Sequence, residues 1–223
     1  SEANAVGWAE QVKTLAKITP KDPHAVYAVF STCTKAKWAY QQRVLKTEAP
    51  EDVYGPIEQA INDHLIPTLT GWRAVSEAER KMLELPVREG GMAFDNPTST
   101  ASSNYIASAT ATEVMQRFIV EGRDMQTDDF VEHNRHFGSV VSVSKLKRRN
   151  EQKKLAEEMG KESALGEGQR LAFCRARDYM LQDGRLYDGE AHREDAHAFV
   201  WRTVARLRVY AVRQAPDQRA TPL

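Results

Sequence analysis

Cysteine, long apolar runs and net charge are what this chain has least of. The two cysteines, Cys33 and Cys174, lie far apart and match no metal or redox spacing, which suits a reducing compartment with both thiols buried. No apolar run approaches the roughly 20 residues needed to cross a bilayer. Lysine plus arginine equals aspartate plus glutamate at 31 each, so no overall field draws nucleic acid or a membrane. Any such binding has to come from local clustering. The first residues, SEANAVGWAEQ, lack the basic and apolar regions of a signal peptide and also lack an initiator Met. The expectation is a fragment boundary in a soluble intracellular protein, cytoplasmic or nuclear, with no membrane partner.

Catalytic signatures are equally thin. In VEHNRH, His133 and His136 stand three apart and can share a helix face, but a zinc site needs a third or fourth ligand. His192 and His197 fall on different faces, and there is no HExxH to supply a general base. A solvated or capping role is expected for the pair. In TDDF, Asp128 and Asp129 follow Thr127 and open a helix, where acids favour the N-terminal dipole. Paired polymerase aspartates sit instead on a tight β-hairpin, because their metals need converging carboxylates. Gly90-Gly91 has no following Lys and Ser/Thr and is no phosphate loop. No catalytic residue, metal site or cofactor is expected.

What the sequence does hold is helical periodicity. At 223 residues, 41% hydrophobic and 28% charged, it has the composition of an ordinary globular protein and the length for one large domain or two small ones. Val6, Trp8, Val12, Leu15 and Ile18 space a first helix. Asp22 then caps a second, with Pro23 in its first turn and Val26, Val29, Phe30, Cys33, Lys37, Gln41, Val44 and Leu45 along one face, Trp38 and Tyr40 beside it. EAPEDVYGP breaks the chain, and Ile57, Ala60, Ile61 and Leu65 mark a third helix that stops before Pro67. Ser76 with Glu79 predicts a capping box for a short fourth.

The least helix-like stretch follows, LPVREGGMAFDNPT. Gly90 or Gly91 is expected at positive φ, Pro97 pushes Asn96 into an extended conformation, and MAF supplies at most a few strand residues. Helix resumes in a run rich in small residues. A further helical region opens at Asp128 and Asp129 and runs to Met159, with a candidate break at Gly138. GKESALGEG reads as a hinge, residues 169–182 and 190–214 as two last helices, and APDQRATPL as a disordered tail. The predicted fold is all-α, an irregular bundle of about eight helices, with residues 1–160 as one helical region and 161–223 as a helical pair and tail.

One charge cluster breaks the neutral background. Lys145, Lys147, Arg148, Arg149, Lys153 and Lys154 are six basic residues against one acid, Glu151. On a helix they spread over most of the circumference, unlike a narrow salt-bridge ladder, and such a cluster can neutralise several phosphates and release counterions. A plain solvated helix, balanced by the acids of EEMGKE, is the competing reading. Arg202, Arg206, Arg208 and Arg213 form a second group, on a segment whose Phe199, Val200, Val204, Leu207, Tyr210 and Ala211 make a core face; that helix first of all packs.

Taken in order, GWAEQVKTLAKI, PHAVYAVFSTCTKAKWAYQQR, YGPIEQAINDHLIPTLTG, SEAERKMLELPVREGGMAFDNPT and LKRRNEQKKLAEE resemble the region after the catalytic palm in reverse-transcriptase-like proteins of invertebrate retroelements. The shared pattern is a Trp-led helix, an Ala-rich helix ending in Trp38-x-Tyr40-x-x-Arg43, an IPxLTG turn and LPxRxGGxxxxNP, covering about residues 6–160. The resemblance implies a thumb-like or connection-like helical region that holds primer–template duplex by its backbone. The connector then is a fixed joint between helices, and the polymerase residues belong upstream, outside this chain. From about Gly166 the pattern is lost. The Gly-Ala-Ser-x-Trp-Leu segment and the later Cys/His region of the family do not occur. The expected function is non-catalytic, binding nucleic-acid backbone through residues 145–154. The rival is a helical protein-interaction or scaffold module in which those residues serve solubility.

Overall fold

A computed structural model describes residues 2–71 and 74–161, together with Leu165, Glu167, Arg170, Leu171, Phe173 and Cys174. The fold is all-α, with no strand among the described residues. In chain order the helices are α1 Glu2–Ile18, α2 Pro23–Val29, α3 Lys35–Val44, α4 Pro50–Ala60, α5 Ile66–Thr70, α6 Glu77–Glu84, α7 Pro97–Ala111, α8 Glu113–Glu121 and α9 Thr127–Met159. A π-turn, Phe30–Thr34, fuses α2 to α3, and a second, Ile61–Leu65, fuses α4 to α5, so the described residues form seven continuous rods. The expected helix from residue 169 is described only at Arg170, Leu171, Phe173 and Cys174, all helical. The one at 190–214, the Arg202, Arg206, Arg208 and Arg213 group and the tail lie outside the described residues.

Local chemistry starts several helices where the sequence predicts. Asp22 accepts from the Ala25 N–H at 3.0 Å, with Pro23 in the first turn. Ser76 and Glu79 close the predicted capping box at 3.3 and 2.8 Å. Asn96 is extended before Pro97 and accepts from the N–H groups of Thr98 and Ser99. These side chains take up donors that a helix start leaves without intrahelical partners.

The buried faces of the first two rods differ from the predicted ones, while the predicted Ile57, Ala60, Ile61 and Leu65 face is buried as expected. In α1 the inward residues are Ala5, Ala9, Val12 and Ala16, while Val6 and Ile18 are exposed. Alanines let α1 lie close against α4, which a face of large side chains would hold off. In the second rod the face runs Val26, Phe30, Thr34, Trp38, Gln42 rather than through Cys33 and Lys37, and the predicted Gln41 is buried beside it. The π-turn explains the one-residue shift. Lys35 N–H bonds to Phe30 carbonyl, five residues back, and the extra residue rotates everything after it. Cys33 is thereby exposed and Cys174 half-buried, which corrects the expectation of two buried thiols.

The proline signals are also overridden. Pro50 opens α4 with Gly55 and Pro56 inside it, and Pro67 sits within α5 instead of ending the helix. A proline interior to an α-helix clashes with the carbonyl four residues back. The π-turn immediately before Pro67 widens the rod at that point, and the helix continues to Thr70, with Gly71 as its C-cap. Tyr54, Ile57, Ile61, Leu65, Ile66 and Leu69 from this rod are fully buried and form the centre of the core with Val12, Phe30 and Phe94.

The connector from α6 to α7 folds back on the end of α6. After a 3₁₀ turn, Val87–Glu89, Gly90 takes φ +86°. Gly91 has ordinary φ, but a Cβ there would lie 2.1 Å from the Leu85 carbonyl oxygen. The two glycines are thus required for different reasons. Met92 and Phe94 N–H groups both donate to Leu83 carbonyl, at 3.2 and 3.1 Å, and Ala93 N–H to Leu85 carbonyl at 2.8 Å. MAF is therefore a hydrogen-bonded loop, not a strand. Ala93 itself is held at φ +54°. The run after Asn96 forms two helices, α7 and α8, and α9 passes through Gly138 unbroken.

Candidate nucleic-acid interface

The basic residues sit on α9, so its anchorage sets their display. Asp129 accepts from the Gln126 N–H at 2.8 Å in a reciprocal cap, the helix-opening role predicted for the aspartates. His133 is buried, with its ring 6.0 Å from that of Phe137. His136 Nε2 lies 2.9 Å from the Thr110 carbonyl oxygen. His136 thus helps seat α9 against α7, and the burial of His133 corrects the solvated or capping role predicted for it. Among the described residues no group of three or more His, Cys, Asp or Glu side chains converges as a metal would require.

Toward its C-terminal end α9 lies on the connector, and Ala156 and Met159 are buried there. Lys145, Lys147, Arg148, Arg149, Lys153 and Lys154 are all exposed. Their partners divide them. Lys147 and Lys154 stand 4.0 and 3.9 Å from Glu151 and Glu158, in the i,i+4 order that supports a helix least. Arg148 reaches off the helix to Asp95 of the connector at 3.4 Å. Lys145, Arg149 and Lys153 have no carboxylate at ion-pair distance among the described residues. Spaced four apart, they form one stripe along the helix, each step rising about 6 Å.

The tertiary structure adds a cation that the sequence reading does not include. Arg88 donates to Gln152 Oε1 at 2.6 Å, bringing a further guanidinium beside the segment. The only signal for it is its place in LPxRxGG. Asp95, the carboxylate facing Arg148, is likewise unmarked by any motif.

A second polar cluster lies beside α6. Arg80 donates to both carboxylate oxygens of Glu58, at 2.9 and 2.8 Å, and to the Phe94 carbonyl at 2.7 Å. Its Nη1 also lies 3.4 Å from Glu84. Burial pushes the Glu84 carboxyl up to about 7 against the pull of Arg80, with Glu58 and Asp95 adding to the rise. This cluster borders an open cavity of about 910 Å³. Its bonds tie α4, α6 and the connector together, and none of the predicted site residues belongs to it.

Searches against known protein families, curated proteins and solved structures find no match to this chain. No described helix is long and apolar enough to cross a membrane.

Proposed function

We propose that α9 is a backbone-binding arm of a non-catalytic helical module, the part of a retroelement reverse-transcriptase-like protein that follows its catalytic palm. The observation that carries this reading is the stripe of Lys145, Arg149 and Lys153, exposed and without carboxylate partners among the described residues. Free cations in a row can each displace a condensed counterion from a nucleic-acid strand. No aromatic residue occurs between positions 145 and 154, so stacking on aromatic side chains contributes nothing there, and the three cations are expected to meet phosphate.

The test is a salt titration of duplex binding. Log affinity should fall linearly with log salt, and changing Lys145, Arg149 and Lys153 together to Gln should flatten the slope by about three. Reversing Arg148 and Arg149 to Glu should weaken all sequences alike. Undetectable binding of DNA duplex and RNA–DNA hybrid near physiological salt, indifferent to these changes, defeats the reading.

Two observations favour the rival interaction module. Ile119 and Val120 are 72% and 86% exposed, and Phe130, Val131, Val143 and Leu146 also face solvent. Lys147, Arg148 and Lys154 each have an acidic neighbour.

A further inference from the structure

Asp95 is the acidic residue that the connector presents to the basic segment. Its Oδ1 lies 3.4 Å from Arg148 Nη2, and its Oδ2 lies 3.1 Å from Lys35 Nζ. The two halves of the Arg148 pair differ in freedom. Asp95 is held from both sides in sequence: the Phe94 carbonyl accepts from Arg80 and its N–H donates to Leu83, while Asn96 caps α7. Arg148 is half exposed and reaches the pair on a long, flexible side chain. When the pair opens, Arg148 is the half that moves.

Opening it costs little at Asp95. A carboxylate stripped of its only cation is left uncompensated, which is what makes broken pairs costly. Asp95 keeps Lys35, so release of Arg148 leaves one charge pair where there were two contacts. We propose that Asp95 is a built-in competitor for phosphate: it holds Arg148 out of the interface until a nucleic-acid strand takes the guanidinium from it. This rests on the backbone-binding reading of α9. It makes the connector a part of the interface that sets affinity, in addition to being a joint.

The experiment is a double-mutant cycle with Asp95→Asn and Arg148→Gln, read by binding of a mixed-sequence DNA duplex across a salt series, with circular dichroism as the folding control. Asp95→Asn should tighten binding about two- to five-fold, the scale of an exposed ion pair, and leave the salt slope nearly unchanged, because Arg148 meets phosphate in both complexes. In the Arg148→Gln background the same change should have little effect, because no guanidinium remains to be freed. Equal tightening in both backgrounds would mean that Asp95 acts only as general negative charge, and overturns the competition. Binding by the parent chain that Asp95→Asn leaves unchanged also overturns it, while the backbone-binding reading stands. Binding by Asp95→Asn alone supports it in its strongest form. Absence of binding in every variant defeats both.

Discussion

The connector at residues 85–96 and the basic stretch of α9 at residues 145–154 touch each other, yet they handle their polar groups in opposite ways. In the connector the N–H groups of Gly91, Met92, Ala93 and Phe94 each donate to a carbonyl between Leu83 and Pro86, and the Phe94 carbonyl takes a guanidinium donor. Without those bonds an irregular segment in the interior would carry orphaned backbone groups, each at a cost of about 1–3 kcal/mol. Along α9 the helix satisfies its own backbone. Its outward side chains therefore need no polar partner, and three cations have no carboxylate at ion-pair distance among the described residues. Irregular backbone must be fixed by tertiary contacts, whereas a regular helix can afford a face that waits for a partner.

The largest expected effect comes from cutting the connector's anchor. Arg80→Leu leaves Glu58, whose side chain is 14% exposed, with one side-chain donor among the described residues, Asn62 at 2.9 Å. An orphaned buried charge of that kind costs about 3–5 kcal/mol, measured as a drop in urea stability. A loss below about 1 kcal/mol would mean that the connector is not held from α6. Gly91→Val comes next, at about 3 kcal/mol, because its Cβ would meet backbone at Leu85 and not a movable side chain. The matched changes on α9, Lys145, Arg149 and Lys153 to Gln, should stay within about 0.5 kcal/mol. If the two regions respond alike, the connector and the α9 face do not differ in how they depend on tertiary contacts.

Glu84 sharpens the contrast through pH. Its folded carboxyl titrates at about 7, above the ordinary 4.5, so between those values the folded chain holds a proton that the unfolded chain releases. The contribution to stability is complete below pH 4.5 and is lost as pH rises through 7. After allowance for solvent screening of a side chain 24% exposed, the loss is about 1–2 kcal/mol. Glu84→Gln should remove it, flattening stability between pH 5 and 8 in urea melts. A parent profile already flat over that range would contradict the burial assigned to this carboxyl.

Signals that act over a few residues were legible in the sequence: Asp22, the Ser76–Glu79 box, Asn96 before Pro97, and the positive φ at Gly90. So was the all-α class. The π-turns were not, because a periodic pattern does not reveal one extra residue in a turn; after Phe30 the second rod was read through Cys33 and Lys37 where Thr34 and Trp38 are buried, while Ile57, Ala60, Ile61 and Leu65 were placed correctly. Pro67 looked like a stop because its relief lies in the widened turn before it. At the candidate interface, the exposure of the basic residues followed from their number and spread. Asp95, Arg88 and the Arg80 cluster did not, since their side-chain hydrogen-bond partners lie beyond the reach of a local pattern, from 14 positions for Arg80 and Phe94 to 64 for Arg88 and Gln152. His133 was misplaced for the same reason: only the packing of α9 puts it inside.

The smallest expected effect isolates the arm itself. Gly138 lies inside α9 with φ outside the left-handed region, and a Cβ there would meet nothing within 4 Å. Alanine loses less freedom than glycine on entering a helix, so Gly138→Ala should stabilise by about 0.5–1 kcal/mol. The gain should show in amide exchange of neighbouring α9 residues more than in the global melt, because few tertiary contacts link this stretch to the core. A helix broken or hinged at Gly138 would respond differently. Alanine would then oppose the bend, and the change would be neutral or destabilising. Duplex binding adds a second readout, since Lys145, Arg149 and Lys153 lie on the far side of Gly138 from His136, which seats the helix on α7. If α9 is one rigid rod, stiffening residue 138 leaves the salt slope unchanged. A slope altered by this single methyl group would mean that the stripe is aimed by a bend the continuous helix does not have.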